Sequence, residues 1–381
     1  MKVEQSVLFS CDNLPEKEKR NLTIFELIRK KGFISKPEIS KITGINIVSV
    51  SNYIENYVAR KFVSEKGSDV STGGRKPDLV ELNREDRFVV GVDAHPGGVA
   101  AAVCDLGGRA LAKVALPAAK AGADELSGRL GDAFEQVLKK AALGPDAVEA
   151  VGLGGEEASV LPAGAALGKR FGVAVFMGGA AQCAAFGERA FNGGVDADDT
   201  LLYMHSDLGY GIVIQGCVCF GAFAPDGKAG NGSFSDEIAY LRPWSRELGI
   251  AEAARAQVAR GIGTKIVDAA EGRLENITTD SVIAAARKDD KVAADLIRSA
   301  GINLGVRAAY LINTFSPRTV IIGGGIEQAG DAVFGPLKNM VARFSFAKQA
   351  ARARIVPGAL GRESVSLGAA SLAAREVFLR A

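Results

Sequence analysis

The sequence predicts a multidomain α/β protein: a small N-terminal winged helix-turn-helix, then two hairpin-led α/β halves in tandem. Three observations predict it. Residues 21–60 carry three helical periodicities separated by a glycine stop and a glycine turn. Two strand-like runs, KFVSEKG and DLVELN, then bracket a Gly-rich basic tip. Beyond residue 85, a plan of strand, hairpin, helix and strand occurs twice. The chain has 381 residues, which at roughly 100–200 residues per domain leaves room for two or three domains.

The first helix is read over NLTIFELIRKK, 21–31, where Leu22, Phe25 and Ile28, with Ile24 and Leu27, form a broad apolar stripe. Gly32 stops it. Ser35 followed by Glu38 fits a capping box, which starts a short helix over Lys36–Thr43. Gly44 supplies the left-handed turn a compact helix-turn-helix needs. Asn46 then caps a further helix, Ile47–Arg60, whose Val50, Ile54, Tyr57 and Val58 repeat at helical spacing and are expected to face the core. Its other face carries Val48, Ser49, Ser51 and Asn52, short side chains that reach base edges and phosphates in a major groove. The strands KFVSEKG and DLVELN form a wing around SDVSTGGRKP. Arg75 and Lys76 beside Gly73 and Gly74 lie where a side chain contacts a phosphate or enters a narrow minor groove. The expected DNA-contacting set is Lys36, Asn46, Ile47, Val48, Ser49, Ser51 and Asn52, with Gly74, Arg75 and Lys76 at the wing tip.

Charge agrees in sign. Residues 1–85 hold 15 Lys+Arg and 12 Asp+Glu, a balance of +3, while the remainder holds 31 against 32, or −1. That excess is small alone; its place in the helix-turn-helix gives it meaning. With 48% hydrophobic and 24% charged residues, the chain is an ordinary globular mixture. No run approaches the roughly 18 apolar residues of a membrane span, and MKVEQSVLFS is not a signal peptide. Five cysteines without a paired CxxC spacing argue against a disulfide frame or a zinc site. A cytoplasmic protein with no cofactor and no metal is expected.

In the body, strand Phe88–Val92 delivers Asp93 at its end, and Val99–Cys104 runs into the hairpin 105–108. A helix over 123–142, strand Val148–Gly152, a helical stretch 163–171, strand Val173–Met177 and the Ala-rich helix AAQCAAFGERAF follow. The second half has strand Thr200–His205, a hairpin in GYGIVIQGCVCFGA, helices near 249–259, 280–287 and 290–316, and strand Arg318–Ile322 closing on GGGI and another helix. SVSLGAASLAAREVFL reads as a final amphipathic helix. The expected domains are 1–85, 86–197 joined by helix 366–381, and 198–365.

Two such halves resemble the duplicated actin-like ATPase (ribonuclease H-like) fold. STGGRKPDLVELN, the hairpin VGVD…AAVCDLGG, AAQCAAFGE, GYGIVIQG, NTFSPRTVIIGGGI and SLGAASLA, in that order, resemble the ROK family of repressors and sugar kinases, in its branch with an N-terminal winged helix. The resemblance implies a repressor of carbohydrate-related genes, a homodimer (or a tetramer built from it) that binds double-stranded operator DNA and answers to a sugar or sugar derivative. The alternatives are an ATP-dependent hexose kinase with an appended regulatory module, and a dimeric DNA-binding architectural or autoregulatory protein with no effector.

An active ROK kinase is expected to hold phosphates with Asp-x-Gly-Gly-Thr; here the stretch runs Asp93–Ala94–His95–Pro96–Gly97–Gly98, and a proline offers no N–H. The second phosphate turn, Gly-Thr-Gly-x-Gly in the family, is His205–Ser206–Asp207–Leu208–Gly209 here, with a carboxylate facing a polyanion. The family's base, the Asp of Glu-Asn-Asp-Ala-Asn, aligns with Ala180 within Gly178–Gln182. Glu156 and Glu157 stand nearby as substitutes or as plain solvated acids. The family's Glu-x-Gly-His sugar element aligns Glu237 with its glutamate and Tyr240 with its histidine. No cysteine follows Cys219, so the family's zinc loop is missing, and Cys217 and Cys219 read as strand packing. No catalytic residue is expected, and Asp93, Asp236, Glu237 and Tyr240 are the expected effector contacts.

Overall fold

The computed structural model describes residues 7–8, 14–66, 79–95, 98–117, 123–155, 157–191, 200–205, 209–214, 217–219 and 249–381. They form two compact units, one of residues 1–178 with 366–381 and one of 179–365.

The first unit begins with strand β1 (Val7–Leu8) and helices α1 (Glu16–Lys31), α2 (Lys36–Thr43) and α3 (Ile47–Ala59). A small antiparallel sheet in the order β2-β4-β3 completes the module, from β2 (Ile34–Ser35), β3 (Val63–Lys66) and β4 (Leu79–Leu82). Ile24, Phe25 and Ile28 of α1, Ile39 of α2 and Val50, Ile54 and Tyr57 of α3 are buried together with Phe62, Val63, Val80 and Leu82. Two expectations change here. Helix α1 starts five residues earlier than the apolar stripe, because Glu16 and Glu18 in its first turn favour the helix N-terminus. Val58, expected in the core, is 38% exposed: it follows Tyr57, whose ring takes the inward direction, and one residue is about 100° of helix.

The rest of that unit is one sheet in the order β1-β9-β8-β5-β6-β7, built from β5 (Phe88–His95), β6 (Gly98–Asp105), β7 (Ala110–Pro117), β8 (Val148–Gly155) and β9 (Ala174–Gly179). Val90 and Val92 of β5 and Val151 of β8 share a core with Leu130, Phe134 and Val137 of α4 (Ala123–Ala141) and Leu167 of α5 (Glu157–Phe171). Alternate residues face the other way. There Gly91 and Gly152 leave no room for a Cβ, because the backbone of the last helix, at Ser366 and Ala369–Ala370, lies directly on the strands.

The second unit repeats the strand plan. Its sheet runs β12-β11-β10-β13-β14, from β10 (Leu201–His205), β11 (Gly209–Ile214), β12 (Cys217–Cys219), β13 (Thr319–Gly323) and β14 (Arg354–Pro357). Each sheet leads with two antiparallel pairings, β5/β6/β7 or β10/β11/β12, and then places a parallel strand on the other side of its first strand, β8 or β13. One face packs under α7 (Ile250–Ala259), α8 (Ile266–Ala269), α9 (Thr279–Ala286), α10 (Lys291–Phe315) and α11 (Asp331–Phe344). The other receives α6 (Ala180–Phe191) on Gly211 of β11. The short α8, α12 (Ala347–Arg352) and strand β14 were not expected from the sequence.

The final helix, α13 (Ser364–Leu379), is not amphipathic as expected. Apart from Ser371 it is buried on every side, including Arg375 and Glu376. A helix dressed in small residues can be enclosed completely, and Ala369, Ala370, Ala373 and Ala374 allow that here.

Candidate nucleic-acid interface

Helix α2 begins on a capping box. The Ser35 hydroxyl accepts from the Glu38 N–H at 3.3 Å, and Glu38 Oε2 accepts from the Ser35 N–H at 3.4 Å. Gly44 sits at φ 71°, the left-handed conformation the turn requires. The turn is then locked by its own side chains. Ser40 Oγ donates to the Ile45 carbonyl at 2.6 Å, and Thr43 Oγ1 accepts from the Ile45 N–H at 3.2 Å. Asn46 Oδ1 accepts from the Ser49 N–H at 2.8 Å, starting α3. Asn46 and Ser49 thus hold the entry to α3.

With Val50, Ile54 and Tyr57 facing inward, the outer face of α3 presents Val48, 67% exposed, and the exposed Asn52, while Ile47, in line with Val50 and Ile54, is 44% exposed because it stands at the start of the helix. Ser49 and Ser51 are half-buried beside them. Ile42, in the last turn of α2, is 53% exposed across the turn. Lys36 is half-buried, its Nζ 2.7 Å from Glu65 of β3. The pair ties the start of α2 to the sheet. Lys30, Lys31, Lys41 and Lys61 are exposed. Residues 14–66 contain 11 Lys+Arg and 6 Asp+Glu, a balance of 11 − 6 = +5. Strands β3 and β4 pair with Lys66 opposite Leu79, so the chain reverses between them; Gly74, Arg75 and Lys76 lie outside the described residues.

In the body, Asp93 is buried on β5, between Ala100 of β6 and Gly154 of β8. Pro96, Gly97, Glu156, Ser206–Leu208 and the expected contacts Asp236, Glu237 and Tyr240 lie outside the described residues. Of the expected effector set, Asp93 alone lies among the described residues. It does place Gly178 and Gly179 at the end of β9 and Ala180–Gln182 in the first turn of α6, a turn with no acidic residue. Gln182 is buried, and its Oε1 has no hydrogen-bond partner among the described residues.

Two carboxylates not singled out from the sequence organise two turns, Glu327 at Gly323–Gly325 and Glu188 at Ala359–Leu360. Glu327 Oε2 accepts from the Gly325 N–H at 2.8 Å, where Gly325 sits at φ 97°. Burial, with Glu188 and Asp280 nearby, pushes the Glu327 carboxyl above the usual carboxylate range, against the pull of its backbone hydrogen bonds. Glu188, fully buried, accepts from the Ala359 and Leu360 N–H groups at 3.0 and 2.9 Å. GGGIEQ sets an acid two residues beyond the glycines without showing which N–H it takes, and Glu188 is remote in sequence from the N–H groups it binds. Cys104 is a buried thiol, pushed up to about 12 by burial first and by Asp105 second, which makes it inert packing. Among the described residues no helix is long and apolar enough to cross a membrane, and no acid, histidine and cysteine cluster suits a metal ion.

Two mixed α/β sheets of one strand plan, following a small helical module along the chain, define a class that comparison with known proteins makes specific. The ROK family model matches residues 157–376, more than half the chain, and the chain belongs to that family. It is 25% identical over 379 residues to the xylose repressor of Caldicellulosiruptor bescii, covering 92% of this chain and 94% of that protein. A ROK family transcriptional regulator, a homologue of the E. coli MLC protein, superposes with a TM-score of 0.70 at 21% identity, over 95% of this chain and 96% of the other. A ROK family glucokinase from Streptomyces griseus, in complex with glucose and AMPPNP, gives a TM-score of 0.61 at 24% identity, over 75% of this chain and 99% of that one. The last two likenesses are of fold.

Proposed function

We propose that this chain is a transcriptional repressor of carbohydrate-related genes that binds operator DNA through a winged helix-turn-helix formed by residues 1–85. One observation carries the reading. A capped, internally bonded turn delivers α3 with its first turn outward, on a module with a positive balance. The similarity to a xylose repressor over nearly the whole chain supports it.

In this reading a two-fold dimer sets two copies of α3 in successive major grooves, roughly 34–36 Å apart. Ile47, Val48 and Asn52 meet base edges, while Asn46, Ser49 and Ser51 hold the helix entry and reach phosphates. Lys36 supports the helix start through Glu65. Gly74, Arg75 and Lys76 follow the adjacent minor groove or its phosphates. The ROK body dimerises and takes a sugar or sugar derivative at a site including Asp93, Asp236, Glu237 and Tyr240. The ligand changes DNA affinity only so far as it binds one arrangement of the dimer more tightly.

The rival reading, a hexose kinase, draws on the fold shared with the glucokinase. Against it stand the first turn of α6, which has no acid at the Ala180 position, and the Gly325 N–H, already taken by Glu327. Loss of a positioned base forfeits about 10²–10⁴ in rate.

The test pairs a gel-shift titration with a coupled ADP-release assay across hexoses. Operator binding that weakens with salt, and that weakens by about 1–3 kcal/mol in Arg75→Ala, is the expected result. Sugar-dependent turnover well above background, or indifference to DNA at low ionic strength, overturns the reading. Thermal stabilisation by a sugar in large excess over its dissociation constant identifies the effector.

A further inference from the structure

We infer that the operator half-site read by α3 is built of A·T pairs, and that Ile47 and Val48 recognise it through thymine 5-methyl groups. The inference rests on the DNA-binding reading above and gives it a base preference.

The first ground is what α3 lacks. From Ile47 to Ala59 it contains no lysine or arginine, and its one charged residue is Glu55. Guanine is read in the major groove mainly by arginine or lysine on O6 and N7. Among the described residues, two cations flanking α3 in the chain are committed elsewhere: Lys36 is paired with Glu65, and Arg60, beyond the far end of α3, donates to the Arg380 carbonyl at 3.2 Å and lies over the Phe62 ring. Lys41, exposed near the end of α2, precedes the turn and suits a phosphate.

The second ground is what α3 presents instead. Ile47 and Val48 stand exposed in its first turn, the part of a recognition helix that meets base edges, with Ile42 exposed across the turn. β-Branched residues are mediocre helix formers, and Val48, 67% exposed, gains little from packing within the chain. Their branched methyl groups match one feature of the major groove, the thymine methyl. Asn52, one turn further along the exposed face, has the amide that pairs with adenine N6 and N7. Exposed Lys41 beside Ile42 and the balance of +5 over residues 14–66 complement the phosphates flanking a groove, which favours a duplex over an apolar protein partner as the occupant of this patch.

The experiment selects bound duplexes from a random library with the full-length chain. It then replaces thymine by deoxyuridine, one position at a time, in the selected site. Uracil differs from thymine by the methyl alone. We expect conserved A·T pairs in each half-site and an affinity loss of about fourfold per contacted methyl, the equivalent of ~0.8 kcal/mol for one buried methyl-sized group. Val48→Ala should abolish the uracil effect at one position and Ile47→Ala at its neighbour. Val48→Thr, which keeps a methyl, should retain part of it. Selected half-sites with conserved G·C pairs, uracil bound as well as thymine, or an undiminished uracil effect in both alanine variants would overturn the inference and leave the chain a DNA-binding protein. If no duplex is bound at low ionic strength, the proposed function itself fails, and this inference with it.

Discussion

Helix α3 has two neighbourhoods. Its N-terminal turn faces out and is held by side chains within fifteen residues of one another, from Ser35 to Ser49. Its inner face at Tyr57 is held by residues more than 300 positions away. The Phe378 ring stacks on Phe25 at 4.1 Å and lies 5.3 Å from Tyr57 and 5.2 Å from Phe62. Asn21 Nδ2 donates to the Leu379 and Ala381 carbonyls, both at 3.4 Å, while its Oδ1 accepts from the Tyr57 hydroxyl at 2.6 Å. Lys17 Nζ donates to the Ala381 oxygen at 3.2 Å. The contrast separates two tasks. The proposed reading surface is a local structure, whereas its anchorage to the rest of the unit is non-local and aromatic.

The strongest way to break that contrast is Phe378→Ala. One ring completes the core between α1, α3 and the start of β3, so its removal leaves a cavity that three aromatic neighbours cannot close. A loss of about 3–5 kcal/mol is expected, measured by denaturant unfolding. Hydrogen exchange should rise in α1 and α3 more than in the second unit. A loss below ~1 kcal/mol would mean that the module packs independently of α13.

Asn21→Ala tests the polar part of the same anchorage. Burial pushes the Tyr57 hydroxyl well above its ordinary range, so it stays a neutral donor, and without the Asn21 side chain its close acceptor is gone from an apolar site. The expected cost is about 1–3 kcal/mol. It should be non-additive with Phe378→Ala, because both changes act where Tyr57 meets the last helix.

Ser35→Ala moves to the local side. Only the capping box is touched, and the expected loss is about 1 kcal/mol. Circular dichroism and unfolding midpoints read it directly.

The same division explains what was legible in the sequence. Ser35, Glu38, Gly44 and Asn46 announce helix boundaries through chemistry that acts over three or four residues, so α2 and the start of α3 could be read without a structure. The strand plan of the body was legible for a similar reason, since apolar runs and glycine turns recur in the same order. The burial of α13 was not. SVSLGAASLAAREVFL has charged residues at Arg375 and Glu376, which look like a solvated edge, yet both are buried, with Arg375 Nη1 3.4 Å from Glu376 Oε1, on a helix whose earlier turns lie directly on two glycine-bearing strands. Val58 escapes a reading by periodicity because period alone cannot decide between adjacent apolar residues at a stripe's edge. In the candidate site, the outward face of α3 followed from its inward one, whereas Glu327 on Gly325 required the geometry of a turn.

The smallest expected effect sharpens the comparison most. Val48→Ala removes two methyl groups from a side chain that is 67% exposed, so little buried surface disappears with them. Alanine is also the better helix former by a few tenths of a kcal/mol. Stability should stay within about 0.5 kcal/mol of the parent, with any change in the stabilising direction. Affinity for the selected operator should nevertheless fall by about fourfold for each thymine methyl left uncovered. A residue that is dispensable to the fold yet required for recognition marks a surface kept for a partner. If Val48→Ala instead lowers the unfolding midpoint by several degrees and leaves DNA affinity unchanged, Val48 belongs to the packing of the turn, and the outward face of α3 loses its claim to be the reading surface.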